Sequence, residues 1–287
     1  MKLFGLELIK TLLNLYIKKQ NLNIFTKIFP SLLIVLNITA CSISNKEKNT
    51  QKTHKDYHKE MVNIYSKAIT NYPNNFYFHL ERGKARQDLG DFKGAIDDFN
   101  HSLAINPNKR FLFYRANAKF DYGDYGGAIK DYENSISLKE FKDQVFYNLA
   151  VLQYINFNYK DAITNYSKSI MYDNDYNSYL KRGDAKYKIM DYLGSLDDYS
   201  KSIEINKDSY ITFNNRGVIK FKLSKYKEAL KDFEKSLKIN PKNYNTLYNK
   251  AITNSALKEK KKACIDLKKS IKLGKEVFED EYSKICK

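Results

Sequence analysis

The sequence is poor in the residues that make tight turns and covalent cross-links. Its 287 residues include only 11 Gly, 4 Pro and 3 Cys, and no Trp. So little Gly and Pro argues against an all-β chain, which needs many tight turns, and against a disordered chain. Three Cys residues are too few for a disulfide framework, and no spacing of Cys and His resembles a zinc site.

The sequence also lacks the patterns of an active site. It contains no Gly-rich phosphate loop and no nucleophile elbow, and no His lies near a Cys that could act as a nucleophile. We therefore predict that the protein is not an enzyme. We also predict no cofactor, no bound metal and no small-molecule substrate.

Positive charge, by contrast, is abundant. The formal net charge at pH 7 is +17, and most of the cations are Lys. Recognition of phosphate groups and bases favours Arg, so this composition argues against nucleic acid as the partner. An anchored nucleic-acid or glycan binder stays open as an alternative, which would bind with a steep salt dependence.

The first 40 residues have the layout of a secretory signal. Lysines precede an uncharged stretch over residues 28–40, which is too short to cross a bilayer as a helix. The stretch ends in Ile38-Thr39-Ala40-Cys41, which resembles the bacterial lipobox. That resemblance implies cleavage before Cys41 and acylation of its thiol. The alternative is a chance Cys at the end of an ordinary signal or signal anchor.

The predicted cellular location follows from this signal. Lysines before the apolar stretch keep the N-terminus inside, so the rest of the chain is expected outside the cytoplasm. We predict a membrane-anchored lipoprotein of the bacterial cell envelope, facing the periplasm or the exterior, and Ser42 favours the outer membrane. Residues 41–56 are polar and without apolar periodicity, and they predict a flexible tether.

A unit of 33 or 34 residues repeats six times. Four columns share this spacing: a small residue, a second small residue, an aromatic residue and a serine. The first small column is Gly83, Ala116, Ala150, Gly183, Gly217 and Ala251, and the aromatic column is Phe99, Tyr132, Tyr166, Tyr199 and Phe233, with Leu267 in the last copy. Each unit holds two segments with helical periodicity, so we predict a helix-turn-helix repeat.

The turn sequences Leu89-Gly90-Asp91-Phe92 and Gly123-Asp124-Tyr125, with these columns, resemble the tetratricopeptide repeat. The resemblance implies an all-α, right-handed superhelical solenoid whose first helices line a concave groove, and it implies protein or peptide partners. The predicted units are 76–108, 109–142, 143–175, 176–209, 210–243 and 244–277. A half-repeat is expected at 57–75 and a C-terminal capping helix at 278–287.

Charged residues form a paired column across the repeats. An Arg precedes the first small residue and an Asp precedes the aromatic residue in four copies, and a Lys and an Asp take these places in the sixth. The third copy has lost both charges together, as Leu149 and Asn165. We predict cross-helix ion pairs that are structural: Arg82–Asp98, Arg115–Asp131, Arg182–Asp198, Arg216–Asp232 and Lys250–Asp266.

One face of the first helices is rich in aromatic residues and is the predicted partner-binding groove. Its residues are Phe113, Asn117, Phe120, Tyr147, Val151, Tyr154, Asp184, Tyr187, Val218, Phe221 and Tyr248. A basic file is predicted beside it, made of Arg86, Lys119, Lys186 and Lys220. The alternative for the aromatic residues is packing between first helices, without contact to a partner.

Two Cys residues follow in the last repeat and the capping helix. In an oxidising compartment, Cys264 and Cys286 form a possible disulfide; the alternative is two buried free thiols. Taken together, the sequence predicts a lipid-anchored interaction scaffold that binds a peptide or protein in its groove. The alternative is a structural or envelope-assembly protein that uses its basic or convex surface and has no peptide in the groove.

Overall fold

The computed structural model describes residues 54–137, 141–277 and 279–286, and in these ranges the chain contains helices and turns but no strand. The all-α prediction is confirmed. The described residues form two compact units that meet in sequence at Asp91 and Phe92. The predicted signal peptide, Cys41 and residues 42–53 of the predicted tether lie outside the described residues.

Fourteen helices are described. They are α1 (His54–Asn71), α2 (Phe76–Asp88), α3 (Phe92–Ile105), α4 (Lys109–Tyr122), α5 (Tyr125–Ser135), α6 (Lys142–Ile155), α7 (Tyr159–Tyr172), α8 (Tyr176–Lys188), α9 (Tyr192–Ile205), α10 (Tyr210–Lys222), α11 (Tyr226–Ile239), α12 (Tyr244–Ala256), α13 (Lys260–Lys272) and α14 (Glu279–Cys286). None of these helices has both the length and the apolar character that crossing a bilayer requires.

The first compact unit contains α1 and α2. Asn75 begins α2 as its cap, and its side-chain oxygen accepts a hydrogen bond from the Tyr77 N–H at 3.0 Å. Helix α1 starts at His54, so residues 54–56 are helical although the sequence analysis assigned them to the tether. Asp56 in the first turn interacts favourably with the helix dipole, which favours this earlier start.

The second compact unit is a series of helical hairpins. Helix α3 packs on α4, and the hairpins α4–α5, α6–α7, α8–α9, α10–α11 and α12–α13 follow. The even-numbered members are called first helices here and the odd-numbered members second helices. Most first helices begin after a polar cap whose side chain binds a free backbone N–H: Asn108, Asp175, Ser209 and Asn243.

The small and aromatic columns meet inside each hairpin. A Cβ atom on Gly183 would lie 2.8 Å from the Tyr199 ring, and one on Gly217 would lie 2.6 Å from the Phe233 ring. Real Cβ atoms do not approach rings so closely, so these first helices need Gly at the contact. The aromatic rings are 2% and 1% exposed, which makes them the centre of the hairpin core.

The serine column connects one hairpin to the next. Ser202 donates a hydrogen bond to the Tyr176 carbonyl oxygen at 3.0 Å, at the start of its own hairpin, and lies 3.5 Å from the Thr212 hydroxyl of the following hairpin. Ser236 repeats both contacts, with Tyr210 at 2.8 Å and Thr246 at 3.1 Å. A small hydroxyl at this position therefore satisfies buried polar groups at the junction of two hairpins.

Each turn that follows an even-numbered helix, from α2 to α12, has a residue in the left-handed backbone region. Only two of these positions carry Gly; the set is Gly90, Gly123, Phe157, Met190, Ser224 and Lys258. Phe157 and Met190 are 77% and 74% exposed, so little burial offsets their strained backbone. A non-Gly residue costs about 1–2 kcal/mol in this conformation.

Helix α14 covers the end of the last hairpin. Ile285 is 3% exposed and joins a cluster with Ala251, Ala263 and Leu267. Cys264 of α13 and Cys286 of α14 are joined by a disulfide, with Cα atoms 4.9 Å apart. Of the two states that the sequence left open, the structure therefore contains the bonded one.

We expect Met190→Gly to stabilise the protein. Relief of about 1–2 kcal/mol of backbone strain exceeds the entropic cost of Gly, about 0.5–1 kcal/mol, so the free energy of unfolding should rise by about 0.5–1 kcal/mol. Urea unfolding of the full chain measures it. The matched control is Gly123→Ala, whose Cβ would have open space and which should destabilise. An unchanged or lower unfolding midpoint for Met190→Gly would contradict the strain argument.

We expect the disulfide to stabilise the C-terminal end of the chain. Replacing Cys264 and Cys286 together by Ser should lower the free energy of unfolding by about 3 kcal/mol, because the bond closes a loop of roughly twenty residues in the unfolded chain. A reducing agent should have the same effect on the wild type and none on the double variant. Alkylation of both thiols in the folded, unreduced protein, detected by mass, would show that the bond is absent.

Candidate functional site

Buried aspartates on the second helices bind arginines on the first helices. Arg115 donates two hydrogen bonds to Asp131, from Nε and Nη2, each 2.7 Å long. The predicted partners also meet in three later hairpins, where the Asp side chains are at most 9% exposed. These pairs are Arg182–Asp198, Arg216–Asp232 and Lys250–Asp266. The predicted ladder is confirmed in these four hairpins.

The remaining predicted pair has Arg82 in the first compact unit and Asp98 in the second, and it stays a prediction. Within the first unit, Arg82 donates a hydrogen bond to the Ser66 hydroxyl at 3.2 Å. In the third repeat, Leu149 takes the place of the Arg. It is 4% exposed and belongs to a core cluster with Phe146 and Tyr132, so apolar contacts replace the ion pair there.

The predicted basic file is corrected by the structure. Lys119 Nζ lies 2.8 Å from Asp131 Oδ2, the same carboxylate that Arg115 binds. Two further lysines of the file bind ladder carboxylates in the same way, at 2.9 and 2.8 Å: Lys186 to Asp198 and Lys220 to Asp232. These ammonium groups neutralise buried charge, so they do not form a free basic file. The fourth member of the file, Arg86, also faces a carboxylate, since its Nε lies 3.5 Å from Asp91 Oδ2.

The groove aromatics pack on their own hairpins. In four hairpins the ring near the end of the first helix contacts the ring that begins the second helix, with centroids 5.3–5.9 Å apart. These pairs are Phe120–Tyr125, Tyr154–Tyr159, Tyr187–Tyr192 and Phe221–Tyr226. Tyr147 packs on Tyr166 at 5.6 Å, and Lys275 Nζ lies 4.9 Å from the Tyr248 ring centroid. The alternative of internal packing therefore accounts for part of each ring's surface.

Phe113 differs from the other predicted groove residues. Its side chain is 5% exposed and stacks on Phe141, with ring centroids 4.5 Å apart and the planes nearly parallel. Its main role is therefore in the core, because it lies where two hairpins meet. Val151 and Val218 are half-buried on the same face as the aromatic residues.

A polar network joins consecutive hairpins on this face. The Tyr132 hydroxyl donates to Asn117 Oδ1 at 2.5 Å, and Asn148 Nδ2 of the next first helix donates to the same oxygen at 3.1 Å. The network recurs two hairpins later with a carboxylate at its centre. There Tyr199 and Asn215 donate to Asp184 Oδ1, at 2.7 and 3.1 Å.

Two pockets open beside these networks. One, of about 340 Å³, includes Phe113, Asn117, Tyr147 and Asn148 in its lining. The other, of about 270 Å³, is lined by Tyr154, Asp184, Tyr187, Tyr199, Asn215, Val218 and Ile219. The second pocket thus brings together four predicted groove residues from three consecutive first helices. We call it the Asp184 pocket.

Electrostatics set the Asp184 pocket apart. Burial raises the pKa of Asp184 above its usual range and outweighs the lowering effect of the Tyr199 hydroxyl and of Lys181. Burial, together with the field of Asp184, also raises the pKa of Tyr154 and Tyr199. In the ladder, by contrast, burial of Asp131 is outweighed by Arg115 and Lys119, so its pKa is lowered.

Sequence analysis missed the polar donors of the two networks. The repeat pattern placed Tyr132 and Tyr199 in the aromatic column as core residues, and it predicted no role for Asn148 and Asn215. The signal was an Asn directly before the ladder position in three repeats: Asn148, Asn215 and Asn249. In the part of the chain that the structure describes, no three His, Cys, Asp or Glu side chains cluster as a metal site requires.

We expect Asp131→Asn to destabilise the protein by about 3–5 kcal/mol at pH 7, because it leaves Arg115 and Lys119 half-buried without their carboxylate. Since the pKa of Asp131 is lowered in the folded state, its contribution is complete above the ordinary Asp pKa, about 3.9. It is lost as the pH falls below that value. The difference in urea midpoint between wild type and variant should therefore shrink towards pH 3. A difference that stays constant from pH 7 to pH 3 would contradict it.

Comparisons with known proteins agree with this architecture. Models of the tetratricopeptide repeat match residues 77–109 and 210–243. A search of curated proteins found no match. Among solved structures, the C-terminal part of a TPR repeat-containing protein from Cytophaga hutchinsonii has a TM-score of 0.67 at 17% identity, with 80% of this chain and 95% of that chain covered.

Two further structures are similar at lower scores. A tetratricopeptide repeat protein from Parabacteroides merdae has a TM-score of 0.54 at 18% identity, covering 78% of this chain and 89% of its own. MamA from Desulfovibrio magneticus has a TM-score of 0.55 at 13% identity, covering 57% and 94%. At such identities the likeness concerns the fold alone. The chain therefore contains tetratricopeptide repeats and has the all-helical, hairpin-repeat fold of proteins built from them.

Proposed function

We propose that this protein is a lipid-anchored interaction adaptor that binds an extended segment of another protein on the groove face of its first helices. Proteins with this fold are generally interaction scaffolds rather than enzymes. The observation that carries the proposal is the Asp184 pocket, where Tyr154, Tyr187 and Val218 of three consecutive hairpins line one opening. Aromatic side chains that are already held in place make good anchors for a bound segment.

The predicted groove continues beyond this pocket. The pocket beside Asn117 includes Tyr147, a residue of the first helix that also supplies Tyr154 to the Asp184 pocket. Residues 147 and 154 are seven positions apart, about two helical turns or roughly 10 Å. A segment of a few extended residues is long enough to reach from one pocket to the other, which favours an extended ligand over a small molecule.

We further propose that Cys41 is acylated and holds the protein at a bacterial membrane, on the periplasmic or exterior side. The support is the sequence Ile38-Thr39-Ala40-Cys41 at the end of an apolar stretch. The disulfide between Cys264 and Cys286 adds to it, because such bonds persist mainly in oxidising compartments.

An alternative function has its own observation. A larger cavity of about 720 Å³ is lined by residues of α9, α10, α11 and the turn between α9 and α10, among them Lys207, Lys235 and Lys238. This cavity shares no lining residue with the Asp184 pocket. Its three lysines and Arg216 outnumber the carboxylates of Glu204 and Asp208, which suits an acidic partner surface. An envelope-assembly protein that uses this surface, with nothing bound in the groove, is therefore the second candidate.

We expect the double variant Tyr154→Ala, Tyr187→Ala to lose partner binding at least about tenfold, since buried aromatic anchors typically contribute 2 kcal/mol or more. The measurement is crosslinking in living cells followed by capture and mass spectrometry. Far-ultraviolet circular dichroism checks that helicity is kept. Cys41→Ala should release the protein from the membrane fraction and reduce the same crosslink.

Two outcomes would contradict the groove. One is an unchanged crosslink in the tyrosine variant. The other is loss of the crosslink when Lys235 and Lys238 are changed to Ala. Together with an unchanged tyrosine variant, that loss would favour the assembly surface. Retention of Cys41→Ala in the membrane fraction would contradict the lipid anchor separately.

A further inference from the structure

The charge of the Asp184 pocket has no full counterpart inside the protein. Of the seven described residues that line it, Asp184 alone is charged. Tyr199 and Asn215 both donate to Oδ1 of the carboxylate, whereas Oδ2 lies 3.8 Å from Lys181 Nζ. The side chain of Asp184 is 22% exposed, so its carboxylate is reachable from the pocket.

A comparison with the ladder shows how incomplete this neutralisation is. Asp198, on the second helix of the same hairpin, is fully buried, and its carboxylate lies 2.6 Å from Arg182 Nη2 and 2.9 Å from Lys186 Nζ. Asp184 has one ammonium group at the limit of ion-pair distance, and the Lys181 side chain is 45% exposed. Exposed pairs of this kind contribute little free energy, so Lys181 is easily displaced.

We propose that the Asp184 pocket binds the positively charged end of a lysine or arginine side chain from the partner segment. This inference rests on the proposed function, and it names the side chain that the groove recognises. Both side chains share the required chemistry: a donor group that reaches Oδ2 of Asp184 and an aliphatic stem that packs against Tyr154, Tyr187 and Val218.

The tyrosines that line the pocket favour a cation, as the Asp184 carboxylate does. Tyrosine rings attract positive charge over their faces, and Tyr154 and Tyr187 border the opening. Burial raises the pKa of Tyr147, and the charges of Asp175 and Asp184 add to this effect. Burial and the charge of Asp184 also raise the pKa of Tyr154. A bound cation would relieve this unbalanced negative field.

The size of the pocket favours one side chain over a larger ligand. Sites for drug-sized molecules usually have about 300–1,000 Å³, and this pocket has about 270 Å³. Its position on the groove face lets the main chain of a partner segment run past the opening while one side chain enters. The charge of the pocket is opposite to that of the protein as a whole, which is +17, so the attraction for a cation is local to Asp184.

The Asn117 network supplies a matched reference for testing the charge. There an amide oxygen accepts the same two hydrogen bonds, from Tyr132 and Asn148, that the Asp184 carboxylate accepts from Tyr199 and Asn215. Asp184→Asn therefore keeps both hydrogen bonds and the shape of the pocket, and it removes only the charge. This variant is expected to fold like the wild type.

The experiment begins with the full chain and a displayed library of random twelve-residue peptides. The best peptide is synthesised with its Lys or Arg and, separately, with norleucine at that position. Both peptides are titrated into the wild type, Asp184→Asn and Lys181→Met, with circular dichroism as the check on folding. The wild type should bind the cationic peptide at least about tenfold more tightly than the norleucine peptide, the range seen for close charge pairs at interfaces.

Asp184→Asn should abolish this preference, so that it binds the cationic and the norleucine peptide with similar affinity. Lys181→Met should increase the preference, because it removes the internal competitor. The inference is overturned if no peptide is selected, if the selected peptides share no positive position, or if the preference persists in Asp184→Asn.

The tyrosine variant separates this inference from the proposed function. If Tyr154→Ala, Tyr187→Ala abolishes peptide binding while Asp184→Asn leaves the preference intact, the groove binds a segment but the cation is recognised elsewhere. If none of these changes affects binding of the selected peptide, both the inference and the groove fail.

Discussion

The contact between a small residue of the first helix and a large buried side chain of the second shapes the described hairpins of the second unit. The large side chain is an aromatic ring in four of these hairpins and Leu267 in the last. Gly183 and Gly217 leave no room for a Cβ atom against Tyr199 and Phe233. This contact sets how closely the two helices approach, and hence which side chains face each other across them. The ion pairs, the serine bridges and the groove face all occupy positions that follow from that spacing.

Charge in this protein is distributed in two different ways. In the ladder, three buried aspartates each receive one Arg and one Lys, so Lys119, Lys186 and Lys220 bind carboxylates inside the hairpins. Such buried pairs fix geometry more than they add stability. Asp184 is the contrasting case, since its hydrogen-bond donors are neutral groups and its carboxylate faces an opening. The contrast identifies the carboxylate that has capacity for an external partner.

The fold was predictable because four columns of residues recur at one spacing in six copies. Such recurrence indicates that each copy packs its two helices in the same way. The columns also predicted four ladder pairs correctly, because loss of both charges at Leu149 and Asn165 indicated that the two positions act together. The lysines were misplaced because spacing shows which face a residue shares but not how far a flexible stem bends: Lys119 reaches Asp131 on the neighbouring helix. The Asp184 pocket needed three-dimensional information, because Tyr199 and Asn215 come from different hairpins.

The two polar networks lie at single positions in the array and have no regular period. Asn117 and Asp184 are the acceptors, whereas Val151, Val218 and Ile252 hold the same place in the other three hairpins of the second unit. The backbone of the groove therefore repeats with every hairpin, but its chemistry does not. A segment bound in the groove as proposed would meet an apolar side chain in place of the Asp184 carboxylate if it shifted by one hairpin in either direction. The irregular column thus fixes the register of a bound segment, which a perfectly regular array could not do.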